Sequence, residues 1–533
     1  MTEQPPEYDA IIIGAGFAGM YMLTKLRERG FAAHVFEAGD DVGGTWYWNR
    51  YPGARCDVES LYYCYSFSEQ LQQEWEWTER YPSQPEILRY ARHVADRFDL
   101  RRDITFSTTV HEAAYDERHR CWRVRTAGGS TTARHLITAV GCLSATQTPD
   151  FPGIDDFRGE SYHTGRWPHR DVDFGGKRVG VIGTGSSAIQ AIPLIAQQAR
   201  QVTVFQRTAQ FSIPAWNRTL DPAEQAAVKA DYARLRDEAR HSRSGILQDQ
   251  LPDNATELPR RQVESELHRR WGHGGTTFTS AFPDTLTDAA ANEISAEFVR
   301  ARIREIVDDP ATADLLCPTD HPIGTKRICV DTDYYATYNR DNVDLVSVRE
   351  QPISRITDGG VQVGDRAFAF DVLVFATGYD AMTGPLNRID IRGADGSLLR
   401  DKWAAGPRSY LGLAGAGFPN MFTITGPGSP SVLSNMIVSI EQHVEWIAEH
   451  LEHLRDRGLT RTEADPGAED EWVAHVNEVA GETLYPQAAS WYMGANIPGK
   501  PRIFLPYIGG VGTYREICRE VADEGYRGFH LAR

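Results

Sequence analysis

The chain has 533 residues, 41% hydrophobic and 24% charged, with a formal net charge of −17. That length exceeds what one hydrophobic core supports, so two to four domains are expected, and the composition is that of an ordinary soluble globular protein. The acidity argues against nucleic acid or an anionic membrane surface as a partner, because both reward a basic face. The cysteines, Cys56, Cys64, Cys121, Cys142, Cys317, Cys329 and Cys518, form no CxxC. Neither a metal site nor a redox dithiol is signalled, and a reducing cytosol suits them. The start, "MTEQPPEYDA", lacks the basic residues and apolar run of a signal peptide. No stretch approaches the roughly 18 apolar residues of a membrane span. A soluble cytoplasmic protein is expected.

In chain order, the first readable unit starts at Tyr8 with "YDAIIIGAGFAGMYMLTKLRERGFAAHVFEAGD". "AIIIG" suits a buried parallel strand, and Gly14, Gly16 and Gly19 give GxGxxG. A helical pattern follows, and a second strand, "AAHVFE", ends at Glu37. Together these point to a dinucleotide site, with the pyrophosphate at the helix N-terminus. Glu37 can accept hydrogen bonds from ribose hydroxyls and would repel a 2′-phosphate, so this site suits FAD or NAD. "HLITAVGCLS", His135 to Ser144, is a further apolar strand ending in a small-residue turn. "FRGESYHTGRWPHR", Phe157 to Arg170, has no clean period and reads as a connector without regular structure.

A second unit starts at Lys177, "KRVGVIGTGSSAIQAIPLIAQQARQVTVFQRT", with Gly183, Gly185 and Ala188 as GxGxxA. Its second strand runs into Gln206, Arg207 and Thr208. A cation at that place suits a 2′-phosphate, hence NADPH. From Asp221 to about Pro322 the pattern is helical. Asp221 to Gly245 reads as a surface helix opened by Asp-Pro, Asn292 to Pro310 as another, and Ile246 to Arg261 between them as loop and turn. "DVLVFATGYDAMTG", Asp371 to Gly384, is a buried strand much like His135 to Ser144. The two strands read either as crossings between nucleotide domains or as ordinary core strands.

At this point the residues resemble a known family. Phe157, Gly159, His163, Trp167 and Pro168 fit FxGxxxHxxxWP, the fingerprint of type I Baeyer–Villiger monooxygenases. The resemblance extends through "GGTWYWNRYPGARCD", "GTKR", "YYATYNRDNV", "GPGSPSVLSNM" and "SWYMGANIPGKPR", and is closest to the phenylacetone and steroid monooxygenase branch. It implies an α/β fold of two Rossmann-type domains, for FAD and NADP, with an inserted helical subdomain. The FAD domain would comprise residues 1–145 and 385–533, the NADP domain 146–220 and 323–384, and the insert 221–322. It implies oxidation of ketones to esters or lactones by NADPH and O₂ through a flavin C4a-peroxide, with sulfoxidation as a side activity and aryl-substituted or bulky ketones as substrates.

Site residues implied by the resemblance are as follows. Arg327 would be the active-site cation, with Asp57 as its carboxylate neighbour. Gly14, Ala15, Gly16, Phe17, Gly19, Glu37, Thr45, Trp46, Asp57, Tyr63 and Val110 would hold FAD. Arg55, Asp57, Thr184, Gly185, Ser186, Ser187, Gln190, Arg207, Thr208, Lys326, Arg327 and Trp491 would hold NADP. Ser431, Val432 and Met436 would line the substrate pocket, and the fingerprint residues would couple domain movement to coenzyme position. On the residues alone, other readings stay open. Lys326-Arg327 could be a solvated pair, Asp57 a helix N-cap, and Thr45, Trp46 and Tyr63 ordinary core. His163 could be a hydrogen-bonded hub and Trp491 a loop anchor.

Three other functions compete. An N- or S-oxidising flavin monooxygenase would carry Phe or Tyr in place of Trp167. A disulfide reductase needs a cysteine pair against the flavin, and Cys56 and Cys64 are wrongly spaced for it. A non-catalytic scaffold would not need Glu37, Arg207 and Arg327 intact. Oligomeric state is not encoded in any of these patterns, and a monomer is compatible with them.

Overall fold

The computed structural model describes residues 5–533, so the first four residues of the expected 1–145 segment lie outside the described residues. The strands are β1 (Tyr8–Ile13), β2 (Ala33–Phe36), β3 (Ile104–Thr105), β4 (Val110–Asp116), β5 (Cys121–Thr126) and β6 (Gly129–Thr138). Then come β7 (Glu160–His163), β8 (Arg178–Ile182), β9 (Gln201–Gln206), β10 (Ser212–Pro214), β11 (Cys329–Asp331) and β12 (Val343–Ser347). The chain continues through β13 (Ile353–Thr357), β14 (Gly360–Val363), β15 (Arg366–Ala369), β16 (Val372–Phe375), β17 (Asp390–Arg392) and β18 (Met421–Thr423).

Two sheets carry the fold. The first has the order β17-β4-β5-β6-β1-β2-β3, with β18 also pairing with β6. The second, β12-β9-β8-β16-β7, is parallel throughout. The last four residues of β1 and all four of β16 are buried on both faces, as parallel strands covered by helices must be. The antiparallel meander β4–β6 differs. Along β4 and β5 buried and exposed residues roughly alternate, because one face meets water.

The chain passes from the first sheet to the second between β6 and β7, and returns between β16 and β17. Both strands that end in small-residue turns are therefore core strands as well as points of crossing. Each lies parallel to the first strand of a unit, β6 beside β1 and β16 beside β8. One expectation fails here: within Phe157 to Arg170, Glu160–His163 is a regular strand on the edge of the second sheet, paired with β16. Four residues, only one of them fully buried, are too few for a period to show.

Between β10 and β11, which pair with each other, lies the helical segment. The expected first helix is two, Pro222–Ala230 and Tyr232–His241, broken at Asp231. A further helix, Arg260–His273, starts where loop was expected to end, and another covers Ala289–Ile306. Asp221 and Asp288 cap their helices by accepting from Ala223 N–H and from Ala290 and Ala291 N–H. Each such cap is worth about 1 kcal/mol.

Candidate active site

The two units repeat one construction. Gly14 N–H donates to Phe36 O and Ala139 N–H to Ile13 O; Gly183 N–H donates to Phe205 O and Ala376 N–H to Ile182 O. Gly14 has φ +103° and Gly183 φ +112°. A Cβ on Gly14 would lie 2.6 Å from Ala139 O, and one on Gly183 would lie 2.4 Å from Ala376 O. Only glycine allows that turn against the neighbouring strand. After it, each chain enters a helix N-terminus, Phe17–Glu28 or Ser186–Gln198, with no side-chain cap, so the first N–H groups stay free for an anion.

In the first unit Ala15 N–H donates to Glu37 Oε2 at 2.6 Å and Gly39 N–H to Oε1 at 2.7 Å. Burial pushes the Glu37 carboxyl up, while these amide bonds pull it down. Gly16 faces Gly44, where a Cβ would meet Gly16 Cα at 2.8 Å. Thr45 is exposed at the start of a short helix, next to buried Trp46. The Trp46 indole donates to Tyr63 OH at 3.0 Å, and both rings are buried. Val110 is buried two residues past Thr108, whose N–H donates to Glu37 O. Phe17, also buried, packs on Tyr63 and Tyr65. Glycine turn, open helix end and buried acid fit an adenine dinucleotide without a 2′-phosphate.

The second unit carries cations where the first has Glu37. Gly185 has open space where a Cβ would stand. Thr184 Oγ1 donates to Thr208 O, Ser186 Oγ contacts Cys329 Sγ, and Ser187 Oγ bonds Thr164 Oγ1. Arg207 is exposed directly after β9. Burial depresses the pKa of Lys326; Asp320 raises it, and the nearby cations Arg207 and Arg349 depress it further. Arg349 was not singled out from sequence. β12 pairs with β9, Ser347 opposite Gln206, so the residues just beyond each strand end side by side. This cation-lined end fits a 2′-phosphate.

Between the units stands Arg327. Its Nε donates to Asp57 Oδ2 at 2.7 Å, Nη2 to Asp57 Oδ1 at 2.8 Å, and Nη1 to Val432 O at 2.7 Å. Asp57 is thus a two-pronged acceptor in a loop and caps no helix. Burial favours releasing the Arg327 proton, but Asp57 outweighs it and holds the guanidinium well above its ordinary value. Three of its five N–H donors go to Asp57 and the Val432 carbonyl. Tyr492, missed from sequence, has its hydroxyl beside the guanidinium; burial pushes that phenol up to about 12 against the pull of Arg327. The Trp491 ring lies 4.1 Å from the Tyr492 ring. Ser431 and Val432 are buried just before the helix Met436–Asp456; Val432 holds Arg327 through its carbonyl, and Met436 packs against the apolar cluster that contains Val432.

Other predicted residues sit at the seam. The Arg55 guanidinium pairs with Glu79 and the Tyr81 carbonyl, and its own carbonyl accepts from Gln190 Nε2 at 3.1 Å. Tyr51 OH donates to Gln190 Oε1 at 2.8 Å, tying that loop to the second unit's helix. His163 Nδ1 accepts from Gly165 N–H, and its Nε2 lies 3.2 Å from both Gln147 O and Thr377 Oγ1. It therefore joins both crossings. Burial lowers its pKa. Trp167 is buried between Tyr162 and Phe174, in the extended conformation Pro168 demands. A Cβ on Gly159 would lie 2.5 Å from Asp371 O and from the Phe157 ring. His163 and Trp167 stand apart from the Arg327 contacts. Among the described residues no helix is long and apolar enough to cross a membrane, and no cluster could hold a metal.

The pyridine nucleotide-disulphide oxidoreductase family matches residues 11–242, the two glycine turns included. Its name fits the fold and not the thiols, since all seven cysteines are free and buried. A phenazine N-monooxygenase of Lysobacter antibioticus is 45% identical over 98% of this chain and 97% of its own length. A Baeyer–Villiger monooxygenase of Pseudooceanicola batsensis is 42% identical over 98% of this chain and 95% of its own. Among solved structures, an oxidised steroid monooxygenase bound to NADP superimposes with a TM-score of 0.95, at 51% identity, covering 98% of this chain and 99% of that one. Matched along nearly its whole length at such identities, the chain belongs to the Baeyer–Villiger monooxygenase family.

Proposed function

We propose that the chain is an FAD- and NADPH-dependent Baeyer–Villiger monooxygenase that converts ketones to esters or lactones with O₂. The observation that carries this is Arg327, held by Asp57 and the Val432 carbonyl between an acid-ended and a cation-ended dinucleotide unit. Bound FAD, once reduced by NADPH, supplies the electrons and the activation of O₂. The chain's own residues do the rest. The Gly14–Gly19 turn and Glu37 hold the flavin nucleotide, with Thr45, Trp46, Tyr63 and Val110 around it. Thr184 to Ser187, Gln190 and Thr208 hold the nicotinamide nucleotide, and Arg207 and Lys326 take its 2′-phosphate. Arg327 offers a fixed cation where oxygen gains negative charge, and Asp57 orients it. Trp491, Arg55 and Asp57 would hold the nicotinamide end of the coenzyme. Of the fingerprint residues His163 joins the two crossings, and so couples the position of one unit to the other. The free cysteines and the charge of −17 support a cytosolic enzyme without nucleic-acid or membrane partners.

The test is a ketone panel with the purified holoenzyme, NADPH and O₂, read by product mass. A gain of one oxygen with ester or lactone fragmentation is the expected result. A phenazine and an aryl sulfide belong in the same panel, because the 45%-identical relative is named for N-oxidation. N-oxide formation with no ester from any ketone would replace the ketone reading.

Two outcomes follow for specificity. The parental enzyme is expected to prefer NADPH to NADH, and Arg207→Ala to lose about one to two decades of that preference, the worth of one charge-assisted contact. Equal kcat/KM for both coenzymes in the parent would refute it. Aryl-substituted or bulky ketones are the expected substrates, and Val432→Gly is expected to widen the range by removing side-chain volume beside Arg327. If only small cyclic ketones react, and the variant's profile matches the parent's, Val432 does not shape the pocket.

A further inference from the structure

The return crossing after β16 carries Tyr379, Asp380, Ala381 and Met382, which are fastened to several parts of the molecule. The Tyr379 hydroxyl bonds Asn49 Oδ1 in the first unit. Its ring packs on the fingerprint segment, where a Cβ on Gly165 would come within 2.7 Å of it. Met382, with φ +67°, has its Sδ 4.0 Å from Ser431 Oγ, next to the residue whose carbonyl holds Arg327.

The same crossing also anchors the segment that carries Trp491. Lys500 Nζ donates to Asp380 Oδ1 at 2.6 Å and to Ala381 O at 2.8 Å, and Asn496 Nδ2 donates to Tyr379 O at 2.8 Å. The Lys500 side chain is only 10% exposed and Asp380 27%, so water screens the pair little. Both ends are shaped around it. A Cβ on Gly384 would meet Asp380 Cγ at 2.6 Å, and one on Gly494 would meet Lys500 Cγ at 3.2 Å. Between Ser490 and Lys500 most backbone bonds are short-range turns, Gly494 to Trp491, Ala495 to Ser490 and Lys500 to Ile497; one longer bond, from Leu505 N–H to Tyr492 O, ties the segment outward, and no sheet holds it. Such a segment has little rigidity of its own, so its anchors decide where it lies.

We propose that Lys500 is a positioning residue, which clamps the Trp491 segment onto the return crossing through Asp380 and so sets how firmly the nicotinamide coenzyme is held. The clamp sits just past the end of β16, a strand of the second sheet, and Tyr379 ties that end to the first unit. The proposal rests on the reading that Trp491 lies against the coenzyme.

The test uses the FAD-loaded enzyme and compares the parent with Lys500→Gln, Asp380→Asn, the double variant and Lys500→Arg. Hydrogen exchange is read for residues 488–505 with and without NADP⁺, beside NADP⁺ affinity by titration and hydrogen peroxide released per NADPH consumed. Lys500→Gln is expected to speed exchange in 488–505 while β8 and β9 keep parental exchange. NADP⁺ affinity should fall about ten- to a hundredfold, the range for one charge-assisted contact. Peroxide release should rise, with flavin reduction at saturating NADPH near the parental rate. The double variant should be no worse than Lys500→Gln, and Lys500→Arg should keep the parental exchange pattern. Unchanged exchange in 488–505, or additive losses in the double variant, overturns the clamp and leaves the reading of Trp491 standing. Faster exchange with unchanged NADP⁺ affinity overturns the proposed link to the coenzyme, and the Trp491 reading with it.

Discussion

Arg327→Ala is expected to bind FAD and to bleach with NADPH, yet to form ester at least about 10²–10³-fold more slowly than the parent. Hydride delivery to a flavin asks for proximity of two rings and no oxyanion. Oxygen insertion into a ketone develops negative charge on oxygen, and the charge needs a fixed positive partner that does not reorganise. Arg327 is built for that. Asp57 takes two of its N–H groups and the Val432 carbonyl a third, so the head cannot swing, and Asp57 keeps it protonated against burial. In the variant, reducing equivalents should leave as hydrogen peroxide. Lys at position 327 keeps a charge but cannot span both Asp57 oxygens, so Arg327→Lys should recover little. Asp57→Asn removes the orienting charge and leaves the guanidinium, so its loss should be smaller, on the order of tenfold, the value of a single charge-assisted contact. Flavin content and Tm distinguish these losses from misfolding. Stopped-flow reduction paired with ester and peroxide yields is the decisive measurement: ester formation by Arg327→Ala at near-parental rate and coupling would take Arg327 out of the mechanism.

Gly19→Ala is expected to abolish flavin binding. A Cβ there would stand 1.8 Å from the Gly14 carbonyl oxygen and 2.9 Å from its carbon. No rotamer relieves a Cβ, so the helix Phe17–Glu28 must lift off β1. Lifting it pulls Ala15 from Glu37 and Gly16 from Gly44, the contacts that shape the nucleotide turn. Overpacking usually costs about 1–3 kcal/mol, and here backbone meets backbone with nothing flexible to yield, so the cost belongs at or above that range. The protein should purify colourless or fail to accumulate, with its flavin-to-protein absorbance ratio down by about tenfold or more. The second unit is the control. It already has Ala188, fully buried, at the equivalent place. Ala188→Gly should cost only about 1 kcal/mol, the helix penalty of glycine, and leave NADPH oxidation intact. A yellow Gly19→Ala protein with parental occupancy would show that the close approach is not required.

What the sequence disclosed and what it hid divide along physical lines. The paired βαβ units were legible because parallel strands buried on both faces read as apolar runs and because tight turns need glycine. Glu37 and Arg207 were legible because they follow strand ends at a fixed distance from those turns. The meander β4–β6 passed unread, although alternation of the kind in "CWRVRT" was there to find. β7 was too short to show a period. The helix Arg260–His273 is dominated by Arg, Glu and His, so its buried stripe is thin, and the break at Asp231 lies inside an otherwise continuous helical pattern. At the site, Arg327 and Asp57 were joined by resemblance and not by spacing; 270 residues separate them. The third contact, a backbone carbonyl at Val432, has no sequence signature at all. Tyr492 and Arg349 were hidden for a related reason: one depends on a loop's fold, the other on which strand lies beside β9.

The division of the first sheet between the two ends of the chain sets an order of events at the ribosome. Thr138 in β6 bonds Thr423 in β18 across 285 residues, and the Trp122 indole bonds Pro419 O across 297. Every strand of the second sheet lies between Glu160 and Phe375. At about 5–20 residues per second, β6 therefore waits roughly 15 to 60 seconds for its partner strand after it is made. The second unit can close while the first still has an unpaired apolar edge, an invitation to pairing with another nascent chain. The half of the protein that is started first is finished last.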